Sequence, residues 1–205
     1  WSVEESSISL VAMPLFHIGG IGWLRVGLTC GATNVLVPEI DPKSLLDTME
    51  SERVTNAFLV PTVVQMLSAV PGAAARDWSA LRSIAYGASP ITTTTLKTVL
   101  STFGCPLYQV YGMTETTGAI VQLDAADHDP GGPREHLLRA AGKPYPWMEL
   151  QIVDPATGEV EHGAVAAAQM LQPDKEAADR ELRTVDPGVL RRQQAGQVAL
   201  RRGAG

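Results

Sequence analysis

Apolar positions along the 205-residue chain change their period in a regular way. A short apolar run over residues 7–13 closes at Pro14, and residues 20–30 then carry apolar side chains at helical spacing until Gly31. This predicts a strand followed by a helix. Residues 33–37 are apolar and β-branched and close at Pro38, which predicts a second strand. Asp41 and Pro42 then supply an N-cap and a first-turn proline for a helix in which Leu45, Leu46 and Met49 share one face as far as Arg53. The unit recurs as strand 56–60 before Pro61, helix 62–70, strand 83–86 before Gly87, helix 91–103, and strand 107–111 before Gly112.

Five strands alternating with four helices, in steps of about 25 residues, are joined by crossovers too long for hairpins. They predict an α/β fold: a doubly wound, mostly parallel sheet with helices on both faces. After Gly118 the pattern changes. Residues 124–133 are polar and hold an Asp-Pro-Gly-Gly-Pro turn; from Trp147 the side chains alternate through Met148, Leu150 and Ile152, and 154–158 reads as another turn. A short antiparallel β segment is expected there, followed from Ala164 by an irregular tail rich in Ala, Gln and Arg. The expected division is a parallel α/β subdomain over 1–123, a β-rich continuation over 124–163, and a degenerate or poorly ordered tail over 164–205.

Composition narrows the function classes. The net charge is −6 and the one dense basic cluster pairs Arg191-Arg192 with Arg201-Arg202, so the electrostatic footprint for nucleic acid is lacking. Cys30 and Cys105 stand apart with no CxxC spacing, which argues against zinc and against a disulfide framework and fits a reduced, cytoplasmic setting. No apolar run approaches the roughly 18 to 20 residues of a membrane helix, and no signal region opens the chain. Because the chain opens on Trp1, an upstream part is expected to be missing.

In open parallel sheets ligands bind beyond the carboxyl ends of the strands, where helix N-termini turn their N–H groups toward the crevice. Five loops fall there, two with concentrated chemistry. In Tyr111-Gly-Met-Thr-Glu-Thr-Thr-Gly118, Glu115 offers the hard oxygen that Mg2+ prefers, Thr114 and Thr116 offer hydroxyls to phosphate, Gly112 permits close approach, and Tyr111 can stack on a planar base. The small residues Gly87, Ala88 and Ser89 leave room for a flat ring opposite Tyr111. Taken singly, these features have plainer readings: a glycine after a strand is a turn, Glu115 a solvated carboxylate, Ser89-Pro90 a helix start, and His17 a packed histidine. Convergence on one sheet edge favours a nucleotide with a metal ion. No G-x-x-x-x-G-K-[ST] occurs, and Gly19-Gly-Ile-Gly22 does not match G-x-G-x-x-G. Neither a Gly-x-Ser-x-Gly elbow nor His-Glu-x-x-His is present.

Tyr111-Gly-Met-Thr-Glu115, with Gln109 two residues before it, resembles the signature of the adenylate-forming enzymes, the superfamily of acyl-CoA synthetases, firefly luciferase and peptide-synthetase adenylation domains. Pro14-Leu-Phe-His17, Val60-Pro-Thr62, Gly87-Ala-Ser-Pro90 and Gly142-Lys-Pro144 follow in register over residues 7–163 and look most like a fatty-acyl-CoA ligase. The resemblance implies ATP-dependent activation of a carboxylic acid through acyl-AMP to acyl-CoA, with ATP or AMP, Mg2+ and coenzyme A as ligands. It implies that Gly87, Ala88 and Ser89 form one wall of the adenine site, with Tyr111 and Gly112 opposite and Gln109 beside the base. Thr114 would hold the α-phosphate, Glu115 the Mg2+, and His17 the mouth of the acyl pocket.

Leu182-Arg-Thr-Val-Asp186 resembles the family's Leu-Arg-Thr-Gly-Asp segment, which makes Asp186 the implied ribose ligand, although Val185 stands where the family has glycine. The family's Ser/Thr/Gly-rich phosphate loop ending in lysine, and its small C-terminal domain with a catalytic lysine, have no counterpart in the chain. Two other outcomes therefore stand beside the ligase: an inactive, truncated relic that binds adenylate weakly, and an aryl-acid or amino-acid adenylation domain.

Overall fold

The computed structural model describes residues 1–150 and the pair 201–202. Strand β1 (Ile8–Val11) leads through helix α1 (Ile18–Thr29) to β2 (Thr33–Leu36), then α2 (Pro42–Ser51), β3 (Asn56–Leu59), α3 (Pro61–Ser68), β4 (Ser83–Gly87), α4 (Thr93–Phe103) and β5 (Leu107–Met113). These five strands are parallel and lie in the order β2-β1-β3-β4-β5. Strand β6 (Gly118–Leu123) returns antiparallel to β5, and the two-residue β7 (Lys143–Pro144) pairs antiparallel with β6 to close a seven-stranded sheet. A separate ladder joins β8 (Met148–Glu149) to β9 (Arg201–Arg202).

Local chemistry starts each helix. The Asp41 carboxylate accepts the Ser44 N–H at 2.8 Å ahead of Pro42, and the Thr92 hydroxyl accepts the Thr95 N–H at 3.1 Å, so both helices have a first orphan donor satisfied. Helix α4 stops at Gly104, which takes the left-handed conformation with φ 61°. Helix α1 begins two residues earlier than the apolar spacing predicts, because the His17 ring caps it: Nδ1 accepts the Gly19 N–H at 3.1 Å.

Both faces of the sheet are covered, as doubly wound topology requires. On one face Leu45, Leu46 and Met49 of α2, Val64 and Leu67 of α3, and Leu96 and Val99 of α4 pack on Leu10, Leu59, Ile84, Tyr86 and Leu107. Helix α1 covers the other face through Trp23, which meets Val11, Ala85 and the partly buried Phe58 and Tyr108.

Two predicted features need correction. The stretch 111–118 is not loop throughout, since β5 runs on through Met113 and a single 3-10 turn over Thr114–Thr116 feeds directly into β6. Antiparallel structure therefore begins at Gly118, well before Trp147. The sequence signal was masked because Gly118-Ala-Ile-Val-Gln-Leu123 is a mostly apolar run without strict alternation, as a strand with neighbours on both sides need not alternate. The expected alternation at Ile152, the turn over 154–158 and the tail from 164 lie outside the described residues, apart from the pair 201–202.

Candidate functional site

Three loops meet beyond the carboxyl ends of the parallel strands. After β1 the chain turns through Pro14, Leu15 and Phe16 to His17; Phe16 is 94 % exposed, and His17 is exposed at the start of α1. The turn folds tightly because a side chain at Gly20 would collide with the backbone carbonyls of Met13 and Pro14. At the other end of the site, a Cβ at Gly118 would come within 3.9 Å of Ile18 Cγ1, so the β5–β6 turn sits against the first turn of α1. His17 and the Thr114–Thr116 turn thus share one edge.

After β4, Ala88 adopts a left-handed φ of 69°. A residue with a Cβ pays about 1 to 2 kcal/mol there, and such strain is characteristic of ligand-binding turns. Ala88 is exposed and Ser89 half-buried. Gly87 serves a different purpose from the one its size suggests: a Cβ there would stand 2.5 Å from the Val110 carbonyl oxygen, so the glycine lets β4 and β5 lie close.

The β5–β6 turn is built by its own polar groups. Thr116 Oγ1 accepts the Met113 N–H at 2.9 Å and lies 2.7 Å from the Gly118 carbonyl oxygen, to which it can donate. Thr116 is therefore committed to the turn and does not face a phosphate. A bulge between Tyr111 and Gly112 brings the returning strand so near that a Cβ at Gly112 would overlap the Gly118 carbonyl. The space expected to admit a ligand beside Gly112 is occupied by the chain itself. Thr114 and Glu115, in contrast, are exposed at the tip. Tyr111 is half-buried, packed on the cluster of Ile120, Val121 and Ala141.

Gln109 is 2 % exposed, and both ends of its carboxamide are engaged: Nε2 donates to the Ala140 carbonyl at 3.1 Å and Oε1 faces the Tyr86 hydroxyl at 3.1 Å. That hydroxyl also lies 2.9 Å from Nε2 of His128, whose Nδ1 is 2.9 Å from the Asp124 carbonyl. Burial raises the Tyr86 phenol above its usual range and pushes His128 below its ordinary 6.5. Sequence reasoning passed over His128. It stands in a polar stretch without periodicity, and no spacing signals that it turns inward to 7 % exposure.

Among the described residues no group of three His, Cys, Asp or Glu side chains gathers as a metal cage. Glu115 provides one exposed carboxylate, which suits Mg2+, an ion commonly held by one or two carboxylates together with phosphate oxygens. Asp186 lies outside the described residues. No helix among them is long and apolar enough to cross a membrane.

The chain is similar to known proteins over most of its length. The family model described as AMP-binding enzyme matches residues 1–167. A fatty acid–[acyl-carrier-protein] ligase, ScoC, from Streptomyces coeruleorubidus is 35 % identical over 173 residues, covering 84 % of this chain and 32 % of that protein. Indoleacetate–CoA ligase from Aromatoleum aromaticum is 34 % identical over 156 residues, 76 % of this chain and 29 % of that protein. Among solved structures, o-succinylbenzoate coenzyme A synthetase from Bacillus subtilis in complex with AMP superposes with a TM-score of 0.67 at 29 % identity, over 78 % of this chain and 31 % of that one. The chain thus spans about a third of the length of the curated relatives it matches. With the family model matching residues 1–167, most of its length, the chain belongs to the AMP-binding enzyme family.

Proposed function

We propose that this chain forms the adenine- and acyl-binding part of an enzyme that activates a carboxylic acid with ATP and passes it to coenzyme A. The observation that carries the reading is the meeting of His17, Ala88, Ser89, Thr114 and Glu115 at one edge of the sheet, exposed or half-buried and joined by the contact of Ile18 with the β5–β6 turn. The acyl- and acid-activating relatives support it.

In the proposed reaction an acid oxygen attacks the α-phosphorus of ATP, pyrophosphate leaves, and the thiol of coenzyme A then displaces AMP from the acyl carbon with loss of its proton. Bound ATP supplies the activated phosphoryl centre. The chain's own residues position it: the Tyr111 ring and the Gly87-Ala88-Ser89 turn bracket the base, and Gln109 lies beneath it. Gly112 contributes indirectly, by letting β6 close against β5. The Thr114 hydroxyl donates to an α-phosphate oxygen, and the Glu115 carboxylate holds Mg2+. Catalysis of this kind draws on positioning and charge neutralisation rather than covalent protein chemistry. His17, its Nδ1 already committed to the α1 cap, acts at the mouth of the acyl site by packing rather than by proton transfer. Asp186 is assigned the ribose hydroxyls by its motif. A fatty acid is the proposed substrate, in keeping with the fatty-acid ligase relative. The unpaired cysteines Cys30 and Cys105 fit a cytoplasmic setting.

Acid-dependent exchange of pyrophosphate into ATP, run with a panel of fatty and aryl acids beside AMP-binding calorimetry, tests the assignment. Exchange with fatty acids would extend the reading from nucleotide binding to acid activation by this polypeptide itself. AMP binding without exchange limits this polypeptide to holding the nucleotide, whereas absence of both refutes the reading.

A further inference from the structure

We propose that the depression at the amino ends of β1, β3 and β4 is a phosphate-binding site whose donors are the guanidinium groups of Arg53 and Arg82. It lies at the end of the sheet away from His17, Thr114 and Glu115, and it stands independently of the adenylate reading.

The depression has a volume of about 350 Å3 and is lined by Ile8, Arg53, Thr55, Ser79, Ala80 and Arg82. That is roughly ten times the space one water takes in the liquid, so a small anion fits with part of its hydration. Three segments meet there: Ile8 opens β1, Arg53 and Thr55 end the connection from α2 to β3, and Ser79, Ala80 and Arg82 lead into β4. The lining carries two positive charges and no carboxylate, in a chain whose net charge is −6. Thr55 builds the floor. Its Oγ1 accepts the Ile8 N–H at 2.9 Å and lies 2.6 Å from Asn56 Oδ1, to which it can donate.

Arg53 occupies a backbone position that glycine ordinarily fills. Helix α2 ends in a Schellman motif, in which the Arg53 N–H donates to the Glu50 carbonyl at 3.1 Å and the Val54 N–H to the Met49 carbonyl at 2.9 Å. The motif places Arg53 at a left-handed φ of 52°, strained for any residue with a Cβ. A side chain held at such a position points to a use for that side chain. Folding supplies only a weak one. Asp77 Oδ2 stands 3.6 Å from Arg53 Nη1, beyond hydrogen-bond reach, in a pair open to solvent. The Asp77 carboxylate is turned to Ser79 instead, whose N–H it accepts at 2.9 Å, and the hydrogen bonds of Ser79 hold its carboxyl below the usual range. The five N–H donors of the Arg53 guanidinium therefore remain open.

Arg82 is the anchored partner. It donates to Glu4 Oε1 and, at 3.3 Å, to Ser6 Oγ, which leaves three of its five donors for a ligand without displacing Glu4. Two planar forks from two segments suit an anion with three or four oxygens, whereas the two oxygens of a carboxylate are served by a single fork. The chemistry that matches is a phosphate group, either the free ion or a monoester.

Titration of the intact 205-residue chain with inorganic phosphate, at an ionic strength held constant with chloride, tests the proposal. The amide resonances of Thr55, Ser79 and Arg82 are expected to shift together and to saturate. Methyl phosphate separates the sources: equal binding assigns a monoester, weaker binding the free ion. Arg53→Gly should weaken phosphate binding about tenfold, the worth of a hydrogen bond to a charged group. The same substitution should raise the denaturation midpoint, because glycine relieves the left-handed strain. A side chain kept for the fold alone would give the opposite change in stability. Arg53→Lys, which keeps the charge and loses the fork, should bind between the two. Shifts that do not saturate, or that chloride alone reproduces, overturn the proposal. So do acetate binding as tight as phosphate, an Arg53→Gly chain that binds phosphate as the wild type does, and one that is less stable than the wild type.

Discussion

Gly112 illustrates how one missing methyl group shapes the site. A Cβ at this position would press into the Gly118 carbonyl and the Ala119 Cα, both backbone atoms that cannot rotate away. Gly112→Ala is therefore expected to force the hairpin apart and lower stability by about 1 to 3 kcal/mol in chemical denaturation. Glu115→Gln should behave oppositely. Its side chain is exposed, so stability should hold within about 0.5 kcal/mol, while the Mg2+ dependence of nucleotide affinity disappears. Tyr111→Ala should weaken AMP binding by about 1 to 3 kcal/mol, the usual worth of stacking a base on an aromatic ring, as read by calorimetry. His128 gives the chain an acid limit. Burial holds its folded pKa below the 6.5 of an exposed histidine, so the unfolded chain takes up the proton first. Its contribution to stability is complete above about pH 6.5 and is lost as pH falls through the depressed folded value. Denaturation midpoints of the wild type should drop on that acid side, and His128→Leu should flatten the drop.

At the scale of elements, the β5–β6 hairpin presents Thr114 and Glu115, and Thr116 holds it closed. Thr116→Ala removes the acceptor for the Met113 N–H and the donor to the Gly118 carbonyl, at a cost of about 1 to 3 kcal/mol. Thr116→Ser keeps the hydroxyl and should restore both stability and AMP binding, which separates the turn from the methyl group. This hairpin also marks where sequence patterning stopped being sufficient. The parallel strands and helices were legible because each crossover is bounded by a proline, a cap or a glycine whose effect is local: Asp41 before Pro42, Thr92 before α4, Gly104 after it. The signature residues 109–115 were legible as a linear motif. The roles of Gly112 and Thr116 were not, because both are set by a strand that returns from beyond the turn. His17 likewise reads as a loop residue until its ring is seen to cap α1. His128 depends on a contact 42 residues away with Tyr86, which no local pattern encodes.

Across the whole molecule, the proposed nucleotide edge of the sheet is balanced by a polar cluster that ties the first residues to the central strands. Asn56, fully buried at the start of β3, donates through Nδ2 to the Trp1 carbonyl at 2.7 Å and to Ser83 Oγ at 3.0 Å, and its Oδ1 accepts the Thr55 hydroxyl at 2.6 Å. Ser83 Oγ, at the start of β4, also donates to the Trp1 carbonyl at 2.7 Å. The docked Trp1 ring lies 5.5 Å from Trp23 of α1 and 6.5 Å from Tyr145, linking the helix on this face to the segment after β7. Buried carboxamides of this kind are worth little net when satisfied but cost the full desolvation of their partners when one side is removed. Asn56→Leu would strand the Trp1 carbonyl with Ser83 as its remaining donor and leave the Thr55 hydroxyl without its acceptor on Asn56. The expected result is a loss of about 2 to 4 kcal/mol, with a red shift of tryptophan emission as Trp1 leaves its aromatic neighbours. AMP affinity should change little at temperatures where the variant is folded, because the cluster lies at the amino ends of β3 and β4, whereas the residues proposed to bind the nucleotide lie at the carboxyl ends of β4 and β5. A variant that keeps wild-type emission would show that Trp1 docks through its ring contacts alone, and one that loses AMP binding while folded would show that the two ends of the sheet are coupled.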